Sequence, residues 1–250
     1  MSWIFTEHLQ SDLIEVRDAE AHHLLHVLRI KPQQTLVLFD GAGNAADVIV
    51  DSSTRRSVFC RVLQRRTIPR ISAPLLSIAV SPPKGDRLRW MIEKLTELGV
   101  SQITMLGCER TVVEPGETRL EKLRGTAVAA CKQSRQAWLP ELRALTDFSR
   151  LLSQAREPGC RLAIAHPPAE PALAGPLPAP AFPASSEVSG ETADTGRQIL
   201  LIGPEGGFTE SEVAAAVATG ARLLHWPKSI LRTETAAIVF TALLMTSQQT

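Results

Sequence analysis

The sequence predicts two units, a small N-terminal β-barrel and a C-terminal α/β domain built on a parallel sheet. Three observations predict this. Over the first seventy residues, short apolar runs are separated by turn residues, the pattern of a small closed sheet. From residue 75 onward, apolar runs of strand length alternate with helical patterns, which implies a parallel sheet with helices on its faces. Residues 199–207, Ile-Leu-Leu-Ile-Gly-Pro-Glu-Gly-Gly, then run a buried strand into a glycine turn. Strand, glycine turn and helix are how an α/β protein brings its backbone close to a ligand.

In the N-terminal unit, residues 19–28 predict a short helix and 35–39 a strand. Asp40-Gly41-Ala42-Gly43-Asn44 is a turn, and residues 46–50 form the second arm of a hairpin. Residues 57–63 predict a third strand. His22 and His26 stand at i and i+4, a spacing that suits a metal. No third ligand and no His-Glu-x-x-His pattern accompanies them, so they are read as helix surface and no metal is expected. From Ser52 to Gly85 there is no Asp or Glu, yet Arg55, Arg56, Arg61, Arg65, Arg66 and Arg70 all fall there. Such a cluster beside a small barrel predicts phosphate contact. Aromatic residues make up 4% of the chain and none is Tyr, so recognition by shape and backbone charge is expected over base stacking.

At 250 residues and 44% hydrophobic content the chain can bury a sizeable core in one domain or two. The net charge of +1 gives no global basic field, so a nucleic-acid site must be a local patch. Cys60, Cys108, Cys131 and Cys160 lack zinc-like spacing and are expected to be reduced. The N-terminus is too polar for a signal peptide, and no apolar run approaches a membrane span. A cytoplasmic protein with no membrane contact is expected.

In the C-terminal part, residues 71–74 serve as a linker and 75–80 as an apolar strand broken by Pro82-Pro83. Leu88, Met91, Ile92, Leu95 and Leu98 recur at helical spacing before Gly99. Residues 100–106 predict a strand, 119–137 a long basic helix, and 161–165 a strand ending at His166. Residues 167–197 hold seven of the 17 prolines and read as a mobile insertion between two strands of one domain. After the glycine turn, Thr209 and Glu212 predict a capping box opening a helix that ends near Gly220. Residues 221–226 predict a strand, and an apolar helix over 234–245 follows with Thr233 as its cap. A glycine turn that carries Glu205 and no lysine suits a neutral or cationic ligand better than phosphate.

Two motifs carry a resemblance. The stretch LLIGPEGGFTESEV, followed by SILRTETAA, resembles the RsmE family of the SPOUT superfamily. HHLLHVLRIKPQQTLVLFDG is similar to that family's N-terminal PUA-like RNA-binding domain. KGDRLRWMIEKLTELGV is also close to its pattern, with Lys94 and Glu97 at recurrent positions, where an exposed helix pair is the alternative reading. ACKQSRQAWLPEL departs from the family, which commonly has glycine then arginine where this chain has Arg135 and Gln136; Gln133 stays a candidate RNA contact. The resemblance implies a PUA-like barrel over 1–70 and a SPOUT domain over 71–250 with a deep trefoil knot. It implies S-adenosyl-L-methionine as cofactor, a homodimer, and methylation of uridine N3 in 16S ribosomal RNA of the small subunit.

It also implies a site. The loops after His166, Ile202 and Trp226 would meet in one pocket for the methyl donor. Its residues would be Gly203, Pro204, Glu205, Gly206, Gly207, Ile230, Leu231, Arg232, Thr233, Thr235 and Ala236, with Arg29 joining the arginine cluster on RNA. Uridine N3 is a poor nucleophile while protonated, so the enzyme must help remove that proton or stabilise charge building on O2 and O4. Arg232 is the candidate for the electrostatic role, since its guanidinium stays charged. Glu205 is a candidate base, donor contact or loop brace. Thr233 and Thr235 would bond the donor or cap the helix. A ribose-methylating relative and a non-catalytic ribosome-assembly factor are the alternatives.

Overall fold

A computed structural model describes residues 1–70, 75–167, 196–227 and 229–246. The expected linker at 71–74 and nearly all of the Pro-rich stretch lie outside these. The chain divides into two compact units, residues 1–71 with 128–139, and residues 72–127 with 140–250.

The first unit holds β1 (Ser2–Phe5), β2 (Leu13–Val16), α1 (Asp18–His22), β3 (Thr35–Phe39), β4 (Asn44–Ser53) and β5 (Val58–Thr67). They form a five-stranded sheet in the order β1-β3-β4-β5-β2, antiparallel except for the β1–β3 pair. Ile4 of β1 and Ile14 and Val16 of β2, the two ends of that order, share one core with Leu36, Leu38, Val48, Val50 and Val58. A sheet whose opposite edges pack on the same core must curl, as the barrel expectation required. The predicted helix over 19–28 is α1 continued by a π-helical turn, His23–Val27. His22 and His26 are exposed and stack on each other, ring centroids 4.6 Å apart. Among the described residues no group of three metal-ligating side chains occurs.

The turn joining β3 to β4 is braced by Asp40, whose carboxylate accepts from the Ala42 and Asn44 amides and from the Asn44 side chain. It lies against residues 137–139. Gly43 donates its N–H to Ala137 O at 3.0 Å, Leu139 donates to Gly41 O at 2.9 Å, and Trp138 Nε1 donates to Ile68 O at 2.9 Å. The Arg70 guanidinium covers the Trp138 ring at 4.6 Å.

The second unit opens with β6 (Leu75–Val80), α2 (Asp86–Glu97) and β7 (Gln102–Gly107). Helix α3 (Glu117–Ser134) starts here and ends among residues of the first unit. Then come β8 (Glu141–Asp147), α4 (Phe148–Ala155), β9 (Cys160–Ala165), β10 (Arg197–Ile202), α5 (Glu210–Ala218), β11 (Arg222–Leu224) and α6 (Thr233–Thr246). The sheet is wholly parallel, in the order β11-β9-β10-β6-β7-β8. Ile199 and Leu201 join Phe148, Leu151, Leu152 and Ala216 in the core between the sheet, α4 and α5. Leu200 and Ile202, also buried, point to the other face. A strand covered on both faces reads as an unbroken apolar run, which is why 199–202 carries no alternation. β9 and β10, which flank the Pro-rich stretch, lie side by side.

The capping box on α5 is present as predicted, with Glu212 N donating to Thr209 Oγ1 and Glu212 Oε2 accepting from Thr209 N. The long basic helix ends earlier than expected, at Ser134, because Arg135 is left-handed at φ +58°. Glycine adopts that conformation without cost, so the departure from the family pattern puts an arginine where the backbone favours the family's glycine. Four elements absent from the sequence reading are β1, β2, β8 and α4.

Candidate active site

Ligands of open parallel sheets sit beyond the carboxyl ends of the strands, and here the ends of β9, β10 and β11 open into one cavity of about 230 Å³. The cavity lies within the second unit. Its floor is the Ile202–Gly207 stretch after β10, one side is Ala165 to Pro167 after β9, and the other is Leu224 to Trp226 with Ser229 to Thr233. Segments far apart in sequence meet directly: Thr233 Oγ1 donates to Gly203 O at 3.1 Å. That hydroxyl therefore ties α6 to the glycine turn, and the first α6 bond, Ala236 N to Arg232 O at 2.8 Å, closes on Arg232. Thr233 is not the cap that the sequence suggested.

Each predicted contact can be placed. His166, Ile202, Gly203, Pro204, Glu205, Gly207, Trp226, Ile230, Leu231, Arg232, Thr233 and Ala236 all line the cavity. Gly206 and Thr235 do not. Gly206 faces away, with its carbonyl accepting from Arg110 at 2.7 Å. Phe208 and Phe240 are linings that the sequence reading missed, because they look like ordinary core positions.

The charges divide clearly. Arg232 is exposed at the rim and makes no ion pair among the described residues. Glu205 is paired with Arg87 at 3.0 Å, and Arg87 also faces the buried Glu234 at 3.7 Å. His166 donates its backbone N–H to Leu224 O, while its ring Nδ1 is buried with no hydrogen-bond partner among the described residues. Burial holds the His166 pKa below the usual histidine value, which keeps the ring neutral near pH 7. Among the described residues the cavity thus offers backbone groups, a neutral imidazole, apolar walls and the Glu205 carboxylate, with the Arg232 guanidinium at its mouth outside any ion pair.

The first unit tells a different story for the arginine cluster. Arg61 pairs with Asp51, and Arg66 with Asp47. Arg65 spends its planar fork on Asp12 and on the carbonyls of Leu9 and Gln10. The acids come from neighbouring segments, so a stretch without acid in sequence is not without acid in space. Arg55 and Arg56, in the turn between β4 and β5, are exposed and unpaired among the described residues. Arg29 is exposed and left-handed at φ +51°, and Gln133 is exposed near the end of α3. Lys94 bonds Glu93 and Glu97 on its own helix, a half-buried pair rather than the exposed one of the alternative reading. Burial pushes the Cys60 thiol up to about 11 and Cys131 up to about 12, so neither supplies a thiolate.

A family model described as an RNA methyltransferase domain matches residues 72–245, and one described as an RNA methyltransferase PUA domain matches residues 16–63. The chain belongs to this RNA methyltransferase family. A relative from Mycobacterium bovis, ribosomal RNA small subunit methyltransferase E, is 30% identical over 227 residues, which covers 88% of this chain and 81% of that one. The Bacillus subtilis protein of the same name is 28% identical over 234 residues, covering 92% and 88%. Among solved structures, a ribosomal RNA small subunit methyltransferase E from Neisseria gonorrhoeae bound to S-adenosyl methionine aligns with a TM-score of 0.81 at 25% identity. It covers 98% of this chain and 97% of that one. A probable rRNA methyltransferase from Porphyromonas gingivalis aligns at 0.82 and 28% identity, over 100% and 99%. Among the described residues, no helix of this RNA methyltransferase is long and apolar enough to cross a membrane.

Proposed function

We propose that this protein transfers a methyl group from S-adenosyl-L-methionine to uridine N3 in the 16S ribosomal RNA of the small subunit, acting as a cytoplasmic homodimer. One observation carries the reading: the glycine turn and residues of the Arg232–Ala236 segment, both singled out by sequence, line a single cavity and are tied by the Thr233–Gly203 bond. The residues present fit the donor. The Glu205 carboxylate lies on the lining, a charge of the sign that suits a sulfonium cation. The buried, unpartnered Nδ1 of His166 offers a polar group that a ligand would satisfy.

When bound, the donor supplies a methyl carbon on a sulfonium, open to in-line attack by a nucleophile. His166, Ile202, Gly203, Pro204, Gly207, Trp226, Ile230, Leu231, Thr233 and Ala236 would hold it, with Gly206 and Thr235 off the lining in the two segments that carry these contacts. Arg232 at the rim directs its donors to the oxygens of uridine as negative charge grows there. Of the three roles open to Glu205, its ion pair with Arg87 supports the loop brace. The knot belongs to the same proposal.

The domain spanning 1–70 is assigned to RNA binding and 71–250 to catalysis. A methyl on N3 blocks the Watson–Crick edge, so small-subunit RNA treated with protein and donor is expected to show a strong reverse-transcription stop, absent without donor. Methylation that produces no stop would give the ribose-methylating alternative the advantage.

Arg29, Arg55, Arg56, Arg61, Arg65, Arg66 and Gln133 are proposed RNA contacts, with Arg55 and Arg56 the most available. Replacing those two by alanine is expected to make the log–log salt dependence of RNA binding shallower by about 1.5, since each phosphate contact contributes about 0.7–0.9. An unchanged slope means that the turn only faces solvent.

A further inference from the structure

Arg87 lies outside the cavity, near the start of α2, yet it is the only described residue whose side chain pairs with carboxylates on both the glycine turn and α6. One nitrogen sits 3.0 Å from Glu205 on the glycine turn and another 3.7 Å from Glu234 at the start of α6. The two carboxylates differ sharply in setting. Glu205 is exposed, whereas Glu234 is 5% exposed and its Oε2 has no hydrogen-bond partner among the described residues. A buried carboxylate needs a counter-charge, and removing the partner costs far more than the pair contributes. Among the described residues Arg87 supplies the one cation facing it.

We propose that Arg87 is a positioning residue for the methyl-donor site, setting the spacing of the glycine turn and α6 by bridging Glu205 and Glu234. This rests on the functional reading above. The turn carries Pro204 and Gly207, and α6 carries Thr233 and Ala236, so the separation of these two elements sets the width of the donor's slot. Thr233 fixes one point of that separation through Gly203 O, and Arg110 grips the far side of the turn through Gly206 O. Neither contact reaches Glu205. A guanidinium can hold two carboxylates at once because its donors diverge in a plane, which an ammonium does not reproduce.

The test uses the full chain with S-adenosyl-L-methionine and small-subunit RNA. Donor affinity is measured by calorimetry, turnover by methyl incorporation, and stability by thermal melting. Arg87→Met is expected to raise the donor Kd and KM about tenfold while kcat stays within about threefold. It is also expected to lower the melting temperature, because Glu234 is left buried and unpaired. Adding Glu234→Gln removes that charge, so the double variant is expected to regain the melting temperature but keep the weak donor binding. Arg87→Lys is expected to recover only part of the affinity. If Arg87→Met fails to fold, the double variant carries the test alone. Wild-type donor affinity in Arg87→Met, or recovery of both stability and affinity in the double variant, overturns the positioning role. A wild-type protein that binds no donor overturns the functional reading and this inference with it.

Discussion

Replacing Arg232 by alanine is expected to slow methyl transfer about 100- to 1,000-fold, the usual loss when one donor aimed at developing charge is removed. Donor affinity is expected to change little, because the guanidinium stands exposed at the rim and makes no ion pair among the described residues. Single-turnover methylation beside donor calorimetry separates the two effects. Arg232→Lys is expected to recover part of the rate, since a point charge stabilises the same oxygens without the planar fork. An alanine variant that cannot bind the donor would place Arg232 in the donor pocket and remove its assigned role in the chemical step.

The second large effect is in the first unit, at the β3–β4 turn. Gly43 has φ +90°, and a Cβ there would lie 2.2 Å from Trp138 Cζ2. Trp138 is held by its bond to Ile68 O and by Arg70, so the ring has little freedom to yield. Gly43→Ala therefore combines left-handed strain with overpacking and is expected to cost about 3 kcal/mol. Gly220 is the control. Its φ is +93° but nothing lies within 4 Å of the added Cβ, so alanine there should cost about 1 kcal/mol, the backbone part alone. Urea unfolding followed by tryptophan fluorescence compares them, and equal losses would refute the clash with Trp138.

Much of the second unit was legible because its strands are buried on both faces. Four apolar residues in a row, Ile199 to Ile202, set directly before a glycine turn, are the pattern of a strand with both faces covered. The Thr209–Glu212 box was legible because both partners are local. What failed to show was short or non-local. β1 and β2 have four residues each, too few for alternation to declare itself, and they exist through pairing with β3 and β5. β8 mixes charge with apolar residues on the sheet edge, and α4 is only eight residues long. The arginine cluster misled in the same way. Asp12, Asp47 and Asp51 are not neighbours of Arg65, Arg66 and Arg61 along the chain, but strand pairing makes them so. The candidate site was legible through two motifs, yet Arg87 was invisible, since its importance depends on where Glu205 and Glu234 arrive in space.

The order of strands has a consequence for synthesis. β10 occupies the slot between β9 and β6, and among the described residues β9 pairs only with β10 and β11. As the chain emerges from the ribosome, β6 presents an apolar edge that waits for residues 197–202, and β9 has no sheet neighbour until those residues appear. Unpaired edges of this kind invite wrong partners, and closing such long loops is slow. The centre of the sheet and the glycine-turn side of the cavity are therefore completed together, when residues 197–202 take their place between β9 and β6.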